Sequence, residues 1–460
     1  MASTSKTPEI LARLTGSAEH AVATLRALGV DHAEVSVGVG NELEVGVRKD
    51  EPELVKEAQS SGLSVRVMRS ERVATSSTTD LSKDAVEAFL KTVVEMAEIS
   101  EPDPMAAPPS PDELADASAL PELDLFDPET DGIDAARALE LARAGERAAF
   151  AADKRITTSE GASFSRSSGH GVLATTGGFV GTRYGTYQSL VVQAVADDEG
   201  GKKRNGMYWT GGRFFADLDD PASVGAEAAL RAVRTLGASK MPTGQYPIVF
   251  DKDAARSIVG LVASCVVGDA VYRKRSYLAE RLGDAVAASG VTIVDDPLVS
   301  RGPGSRRFDG EGRAVRAIPV IDDGVLSTFL LDTYSARKLE MSPTGSASGG
   351  GGIPHSSVSN FYMLAGELEP EALLEGIETG LYVSRMMGFG FDAVTGTFSR
   401  GAEGFLIENG KLTRPVGEIT ISRNLDDILL GIDAIANDLD HRTSTAAPSF
   451  RVDQMTVAGS

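Results

Sequence analysis

The chain carries Leu43-Glu44-Val45-Gly46-Val47-Arg48 and, further on, Leu63-Ser64-Val65-Arg66-Val67-Met68. In both stretches apolar residues alternate with polar or small ones, which is the period of a strand with one buried and one solvent-facing side. A helix predicted over residues 8–28 precedes them and ends at Gly29, because glycine tolerates the left-handed conformation that closes helices. Another helix is predicted over 81–99. The N-terminal α+β unit, residues 1–100, is therefore predicted as a helix, a β-meander and a helix.

A segment rich in proline and acidic residues follows at 101–130 and holds seven of the chain's 20 prolines. This composition predicts a linker or an extended wrap rather than regular structure. The order of helix, β-rich run and helix then returns in a second α+β unit, residues 131–238, with helices predicted over 134–153 and 222–236. The likeness between the two units is one of element order and does not extend to residue identity.

Strands and turns dominate residues 239–460, apart from a mostly helical stretch predicted over 254–287. Residues 315–331 predict a hairpin that turns at Asp322-Asp323-Gly324, because Asp-Gly supplies the positive φ of a tight turn. Pro319 within this hairpin suits an edge strand. The fold class is therefore α+β, with two N-terminal helix/β-meander/helix units followed by a larger β-rich C-terminal domain.

Charge and cysteine content narrow the possible partners and compartment. The formal net charge of -21 would repel phosphate backbones and anionic lipid surfaces, so neither nucleic acid nor membrane is expected as a partner. Cys265 is the only cysteine and lies in an apolar run, which predicts a small core residue rather than a nucleophile. No secretory signal is recognisable, and the apolar run over 258–267 is too short to span a membrane and predicts a buried helix. The expected location is the cytoplasm.

The sequence contains no phosphate-binding loop, dinucleotide fingerprint or nucleophile elbow, and its five histidines are scattered. None of these histidines has a second one at a metal-ligand spacing. A zinc site made by this chain alone would need the convergence of distant residues such as His355, His441, Asp309 or Glu403.

Several segments resemble the PmbA/TldD family, in the order in which that family has them. They are Leu331–Leu339 (LDTYSARKL), Ser342–Gly345, Gly350–Pro354, Ser359–Tyr362 (SNFY), Thr395–Gly410 (TGTFSRGAEGFLIENG) and the C-terminal Pro448–Gly459. The resemblance covers nearly the whole chain, although its specific motifs all lie beyond residue 240. It is to the PmbA (TldE) type of subunit.

The resemblance implies a pair of related subunits. The TldD type has H-E-x-x-x-H on a helix and a later cysteine, which together hold zinc, whereas the PmbA type lacks them. Aligned on Gly268-Asp269, the two histidine positions fall at Val259 and Ser264 and the glutamate position at Gly260. None of these side chains binds zinc or serves as its general base. No catalytic residue, metal or cofactor is therefore expected in this chain, and zinc is expected in the partner.

To a peptide-binding chamber this chain can contribute the shape of its surface and backbone hydrogen-bonding groups. A β-rich domain with glycine-lined loops can offer unpaired N–H and C=O groups to an extended peptide. The alternative is that the glycines only make a flexible loop and the arginines only carry surface charge. The candidates for a peptide channel are Gly349, Gly350, Gly351, Gly352, Pro354, Arg385 and Arg400.

The leading hypothesis is a non-catalytic subunit of a TldD/TldE-type metalloprotease, which completes the peptide chamber of a zinc-bearing TldD-like partner and acts on unfolded or small peptides. A second hypothesis is a self-sufficient metallopeptidase with a dispersed metal site. A third is a homodimeric peptide-binding module without chemistry. The scarcity of metal ligands favours the non-catalytic subunit over the self-sufficient metallopeptidase. It does not distinguish the non-catalytic subunit from the homodimeric module, because both functions require only binding surfaces.

Overall fold

The computed structural model describes residues 6–349 and 352–459. The helices are α1 (Thr7–Ala27), α2 (Lys83–Ile99), α3 (Ala135–Ala152), α4 (Pro221–Val233), α5 (Lys252–Val266), α6 (Gly268–Tyr272), α7 (Thr333–Lys338) and α8 (Leu425–Leu430). The strands of the N-terminal half are β1 (His32–Arg48), β2 (Glu51–Arg69), β3 (Arg72–Thr78), β4 (Ile156–Thr175), β5 (Val180–Asp197) and β6 (Lys203–Gly212). The strands of the C-terminal half are β7 (Gly244–Phe250), β8 (Ile293–Asp295), β9 (Ile318–Asp322), β10 (Val325–Leu326), β11 (Ala347–Ser348), β12 (His355–Ser356), β13 (Phe361–Met363), β14 (Thr379–Met387), β15 (Thr397–Glu408), β16 (Lys411–Asn424), β17 (Ile432–Ile435), β18 (Thr445–Ala446) and β19 (Phe450–Ala458).

The two N-terminal units share one antiparallel sheet. Its six strands lie in the order β3-β2-β1-β4-β5-β6, so β1 and β4 join the units. Odd-numbered residues of β1 point to one face, where Val35 and Val37 pack against α1 and α2, and Leu43 and Val45 pack in the core of α3 and α4. All four helices therefore cover the same face. The opposite face, here called the bare face, is not covered by any of these four helices.

The alternation predicted for residues 43–48 is confirmed, because Leu43, Val45 and Val47 are buried while Glu44 and Arg48 are exposed. For residues 63–68 the prediction of a half-buried strand is wrong. Arg66 and Met68 are buried as well as their apolar neighbours. The reason lies far away in the chain, since Arg66 lies against Glu311 of the C-terminal domain, and Met68 lines a crevice with Ala106 and Pro108 of the segment at 101–130.

The C-terminal domain is β-rich, as expected. One sheet has the order β16-β15-β14-β7-β19-β17, and an extra pairing of β16 with β19 closes five of these strands on themselves. A second sheet has the order β10-β9-β8-β13-β18. Helix α5 contacts strands of both sheets, which confirms that the apolar run over 258–267 forms mainly a buried helix. Among the described residues no helix has the length and apolar character to cross a bilayer.

Two local predictions need correction. The helical stretch predicted over 254–287 ends at Tyr272, and the chain continues in turns. Individual apolar residues of this stretch are buried without helical periodicity. Val286, for example, donates its N–H to the carbonyl of Gly324 and not to a residue one helical turn earlier. The hairpin at Asp323-Gly324 is confirmed, with φ of 45° and 83°. Its first strand, β9, is not an edge strand, although β10 pairs only with residues 321–322 and leaves Pro319 uncovered on that side.

The proline-rich segment at 101–130 lies on the surface of the C-terminal domain. It contains short 3-10 helices at Pro104–Ala106, Pro111–Glu113 and Ala117–Ala119. Arg337 donates to the carbonyls of Met105 and Ala107, and Arg307 donates to the carbonyl of Pro121 over 2.8 Å. Arginine side chains of the C-terminal domain thus satisfy backbone carbonyl groups of the segment. This explains how a proline-rich stretch is held in place without a sheet or a long helix.

Candidate functional site

The three positions that the family motif would occupy lie on α5 but do not face a common space. The side chain of Val259 is fully buried in the core of the C-terminal domain. Gly260 is half-buried, and a Cβ atom there would lie 3.9 Å from Thr445 Cγ2. Ser264 is exposed and donates its hydroxyl to the carbonyl of Leu261 over 2.6 Å. These residues offer one hydroxyl oxygen and no imidazole, carboxylate or thiolate.

Cys265, next to these positions, is buried as predicted. Burial raises the pKa of its thiol to about 11, with weak opposition from the hydroxyl groups of Ser264 and Ser276. A thiol in this state is a poor nucleophile and a poor metal ligand at neutral pH, because both roles need the thiolate. It therefore acts as a small core residue.

The most distinctive surface of the N-terminal half is a trough on the bare face. It is floored by six glycines placed opposite one another on neighbouring strands, and this set is called the glycine trough. Its members are Gly38 between Gly62 and Gly171, and Gly169 between Gly40 and Gly185. Glycine inside a strand is unfavourable and commonly marks a place where another backbone or a ligand approaches closely.

Within the described residues, no part of the C-terminal domain lies against the centre of the glycine trough floor. A Cβ atom built on Gly38, Gly169 or Gly171 would meet only carbonyl oxygens of the same sheet, at 3.4 Å or more. The open space above the floor measures about 580 Å³. The glycines therefore do not serve to bring the two domains of this chain together.

The walls of the glycine trough connect it to the C-terminal domain. Arg183 donates to the carbonyl of Gly349 over 3.3 Å and to that of Asp309 over 2.6 Å. Further along, Tyr187 donates its hydroxyl to the carbonyl of Arg442 over 3.2 Å. Trough and walls together form a cleft between the sheet and the C-terminal domain.

The predicted channel residues fall into two groups. Gly349, with φ of 105°, lies at the wall of the cleft through its contact with Arg183, and Gly352 and Pro354 follow it on the same loop. Gly350 and Gly351 lie outside the described residues. The remaining two, Arg385 and Arg400, lie on β14 and β15.

Arg385 and Arg400 have different partners from the loop around Gly349. The side chain of Arg385 is 55% exposed and lies 4.0 Å from the carboxylate of Glu403. Arg400 lies over the ring of Phe398 at 5.8 Å, and its buried Nε has no hydrogen-bond partner. Partial burial lowers the pKa of Arg400. Among the described residues, neither arginine forms a hydrogen bond or an ion pair with the walls of the cleft.

The residues considered for a dispersed metal site also have different contacts from one another. His355 pairs with the Ser348 hydroxyl over 2.7 Å, while His441 lies edge-on to Tyr362 at 4.7 Å between ring centroids. Asp309 is buried, and its carboxylate accepts backbone N–H groups of Glu311, Arg313 and Ala347. Over residues 6–349 and 352–459, no three His, Cys, Asp or Glu side chains are grouped as metal ligands.

A buried charge cluster holds the sheet to the C-terminal domain beside the cleft. Arg66 of β2 makes two hydrogen bonds to the Glu34 carboxylate of β1, at 2.9 and 2.7 Å. The same guanidinium lies 3.6 Å from Glu311 of the C-terminal domain. The other Glu311 oxygen accepts from Thr333, and the one facing Arg66 has no hydrogen-bond partner among the described residues. Two buried carboxylates thus share one cation.

This sharing makes Glu311 a source of pH-dependent stability. Burial raises the pKa of Glu311 to about 6 from an ordinary 4.5, the Asp309 carboxylate adds to the shift, and Arg66 opposes it. The folded protein therefore holds this proton more tightly than the unfolded chain does. The resulting stabilisation is lost as pH rises from the unfolded pKa through the folded one, and amounts to about 2 kcal/mol.

The Glu311→Gln variant is expected to lack this part of the pH dependence. Its free energy of unfolding should rise relative to the parent between about pH 4.5 and about pH 6, because in that range the unfolded parent has lost the Glu311 proton that the folded parent still holds. Urea denaturation of both proteins over that range measures the difference. Subtracting the parent cancels other titrating groups, such as Asp295, whose pKa burial also raises to about 6. Parallel curves would show that Glu311 is not the titrating group.

Comparison with known proteins places these features in a family. Models of the three PmbA/TldA metallopeptidase domains match residues 33–97 (domain 1), 128–236 (central domain) and 243–459 (C-terminal domain). The chain belongs to the PmbA/TldD metallopeptidase family. The expected family is thereby confirmed, together with the PmbA type of subunit, on the relatives that follow.

The chain is 36% identical to Metalloprotease PmbA of Escherichia coli O157:H7 over 430 residues, which covers 93% of this chain and 92% of that protein. It is 27% identical to the Metalloprotease TldD homolog of Haemophilus influenzae over 347 residues, 70% of this chain and 72% of that protein. Among solved structures it resembles a Bacteroides thetaiotaomicron protein, with a TM-score of 0.89, 27% identity and coverage of 97% and 98%. It also shares the fold of TldE from Thermococcus kodakarensis, with a TM-score of 0.82, 18% identity and coverage of 96% and 100%.

Zinc, the metal that the family implies, does not fit the motif positions of this chain. Zinc sites in proteins are built from imidazole, thiolate and carboxylate ligands. Val259 and Gly260 supply none of these, and the Ser264 hydroxyl is already engaged with the α5 backbone. No step of a hydrolytic reaction can therefore be derived through a metal held at these positions.

Proposed function

We propose that this chain is the non-catalytic, PmbA-type subunit of a two-component peptidase, whose zinc is supplied by a TldD-like subunit. The observation that carries the proposal is the composition of α5, where a valine in the core, a glycine and a serine stand at the motif positions. A chain with this helix needs another source of the activated water. Its location in the cytoplasm stays a prediction.

The proposed task of the subunit is to hold an unfolded segment of peptide. The glycine trough supports this role because the centre of its floor, at Gly38, Gly169 and Gly171, meets only backbone carbonyl oxygens, and so an extended chain can approach it whatever its own side chains are. The walls at Arg183 and Tyr187 bring this space next to the C-terminal domain. Shape selection of this kind favours unfolded over folded substrates, because only an extended segment can lay its backbone along the floor.

The alternative of a homodimeric peptide-binding module uses the same cleft, and no contact within the chain separates it from the leading proposal. What favours the two-component form is the similarity to a TldD homolog over 70% of the chain, since related subunits of one size can pack as pseudo-symmetric pairs.

The test is association. The chain and a TldD-type protein from the same cell are produced together, with a tag on one of them, and the complex is examined by size-exclusion chromatography with light scattering. The proposal expects co-elution at the mass of a hetero-oligomer. Elution of this chain as a separate homodimer, at concentrations up to tens of micromolar, would contradict it.

A further inference from the structure

A small, partly open cavity lies where the edge strand β6 meets the start of α5. It measures about 60 Å³ and its lining includes Trp209. Around it stand four cationic side chains, whereas only two carboxylates take part in the lining. The cations are Arg231, Lys252, Arg256 and Arg442, and the carboxylates are Asp253 and Asp440. Such a concentration of positive charge is unexpected in a chain whose net charge is -21.

Two of the four cations are fully engaged. Arg231 donates to Glu227 over 2.8 Å and to Asp253 over 3.0 Å. Arg442 lies 3.1 Å from Asp219 and 3.0 Å from Asp440. The contacts of Arg231 join α4 to α5, and those of Arg442 join the sheet edge to the C-terminal domain. Together they engage most of the acidic groups near the cavity.

The other two cations have donors to spare. Arg256 reaches a carboxylate oxygen only at 4.0 Å, on Asp253, and makes one long hydrogen bond of 3.5 Å to Thr443. Lys252 lies 3.2 Å from Asp440, which it shares with Arg442. A guanidinium has five N–H donors and an ammonium three, so several donors of these two lining side chains are left without an acceptor from the described residues.

We propose that this cavity binds a carboxylate group of a peptide, and this rests on the proposed peptide-binding function. Arg256 can meet a carboxylate through two parallel hydrogen bonds, and Lys252 adds a third. The volume admits a carboxylate but not a nucleotide, and long polyanions are repelled by the rest of the surface. Tyr187 of the cleft wall donates its hydroxyl to the carbonyl of Arg442, which lines the cavity, so the cavity lies beside the cleft.

The chain offers a direct reporter, because Trp209 is its only tryptophan and the Arg256 guanidinium lies 5.8 Å from the centre of its ring. The isolated full chain is titrated with N-acetyl-trialanine that ends in a free carboxylate, with the same peptide as an amide, and with an amide whose last alanine is glutamate. The free acid is expected to change Trp209 emission in a saturable way, at an affinity about 10-fold or more above the plain amide. The glutamate amide tells whether a side-chain carboxylate suffices or the chain terminus is required.

Arg256→Gln is expected to weaken the response to the carboxylate about 10- to 100-fold, whereas Arg137→Gln, an exposed arginine on α3, should leave it unchanged. Equal affinities for acid and plain amide in the parent chain would overturn the proposal without any variant. So would an unchanged affinity in a folded Arg256→Gln protein. Because the titration uses the chain alone, its failure is distinct from a failure to associate with a TldD-type subunit.

Discussion

Replacing Arg66 by methionine is expected to lower the free energy of unfolding by about 3–5 kcal/mol at neutral pH. The reason is that Glu34 and Glu311, which are 1% exposed, would remain buried beside it without their shared cation. Burial already raises the pKa of Glu34 in the presence of Arg66. Urea or thermal denaturation followed by circular dichroism measures the loss.

The matched control is Arg147→Met. Arg147 also makes two hydrogen bonds to one carboxylate, Asp50, at 2.6 and 2.9 Å, but this pair lies in solvent. A far smaller loss is expected, because exposed ion pairs are screened by water. Combining Arg66→Met with Glu34→Gln should recover part of the loss, since one uncompensated charge is then removed. Equal losses for Arg66→Met and Arg147→Met would contradict the account of the buried cluster.

The second large effect is expected in peptide binding. The double variant Gly169→Val, Gly171→Val fills the centre of the glycine trough, and should lower the affinity for an unfolded peptide by about 10-fold or more, because the peptide backbone loses its approach to the floor. Neither glycine has a positive φ, and a Cβ atom there meets nothing closer than 3.4 Å. Stability should therefore stay unchanged or rise by about 1 kcal/mol, since valine is favoured in strands.

Weaker binding together with unchanged or higher stability distinguishes a filled binding site from a damaged fold. Binding is measured by fluorescence anisotropy with fluorescein-labelled oxidised insulin B chain, and stability by urea denaturation. The control is Gly46→Val, on the same face of β1 but outside the glycine trough, which should leave the affinity unchanged. An unaltered affinity in the double variant would mean that peptide binds elsewhere.

Local patterns in the sequence predicted the local structure well. Helix α1 is followed by Gly29 with φ of 72°, and the Asp323-Gly324 turn closes the predicted hairpin. Cys265 is a core residue, as its apolar neighbours indicated. In each case the deciding interactions lie within a few residues of one another, where periodicity and turn chemistry apply.

What the sequence did not indicate depends on distant parts of the chain. Arg66 alternates with valines like a solvent-facing residue, but Glu311 of the C-terminal domain and the segment at 101–130 lie against it, and it is buried. The pairing of β1 with β4 joins units that the segment at 101–130 separates in sequence. Alternation shows which residues share a face, but not whether the other face meets water or another domain.

The glycine trough was missed although its signal is present. Gly38 and Gly40, and again Gly169 and Gly171, stand two residues apart, which places each pair on one face of a strand. Their alignment across strands depends on register, which follows from the completed sheet. Of the predicted channel residues, Gly349 touches a wall of the cleft, whereas Arg385 and Arg400 make other contacts.

The most direct test of the central claim is peptide cleavage, with zinc content determined on the same samples. This chain alone, a TldD-type subunit from the same cell, and their purified complex are each assayed on an unfolded peptide. The account predicts that the complex cleaves, that its zinc is carried by the TldD-type subunit, and that this chain alone neither cleaves nor retains stoichiometric zinc. Cleavage by this chain alone, lost when its zinc is removed by a chelator, would contradict it.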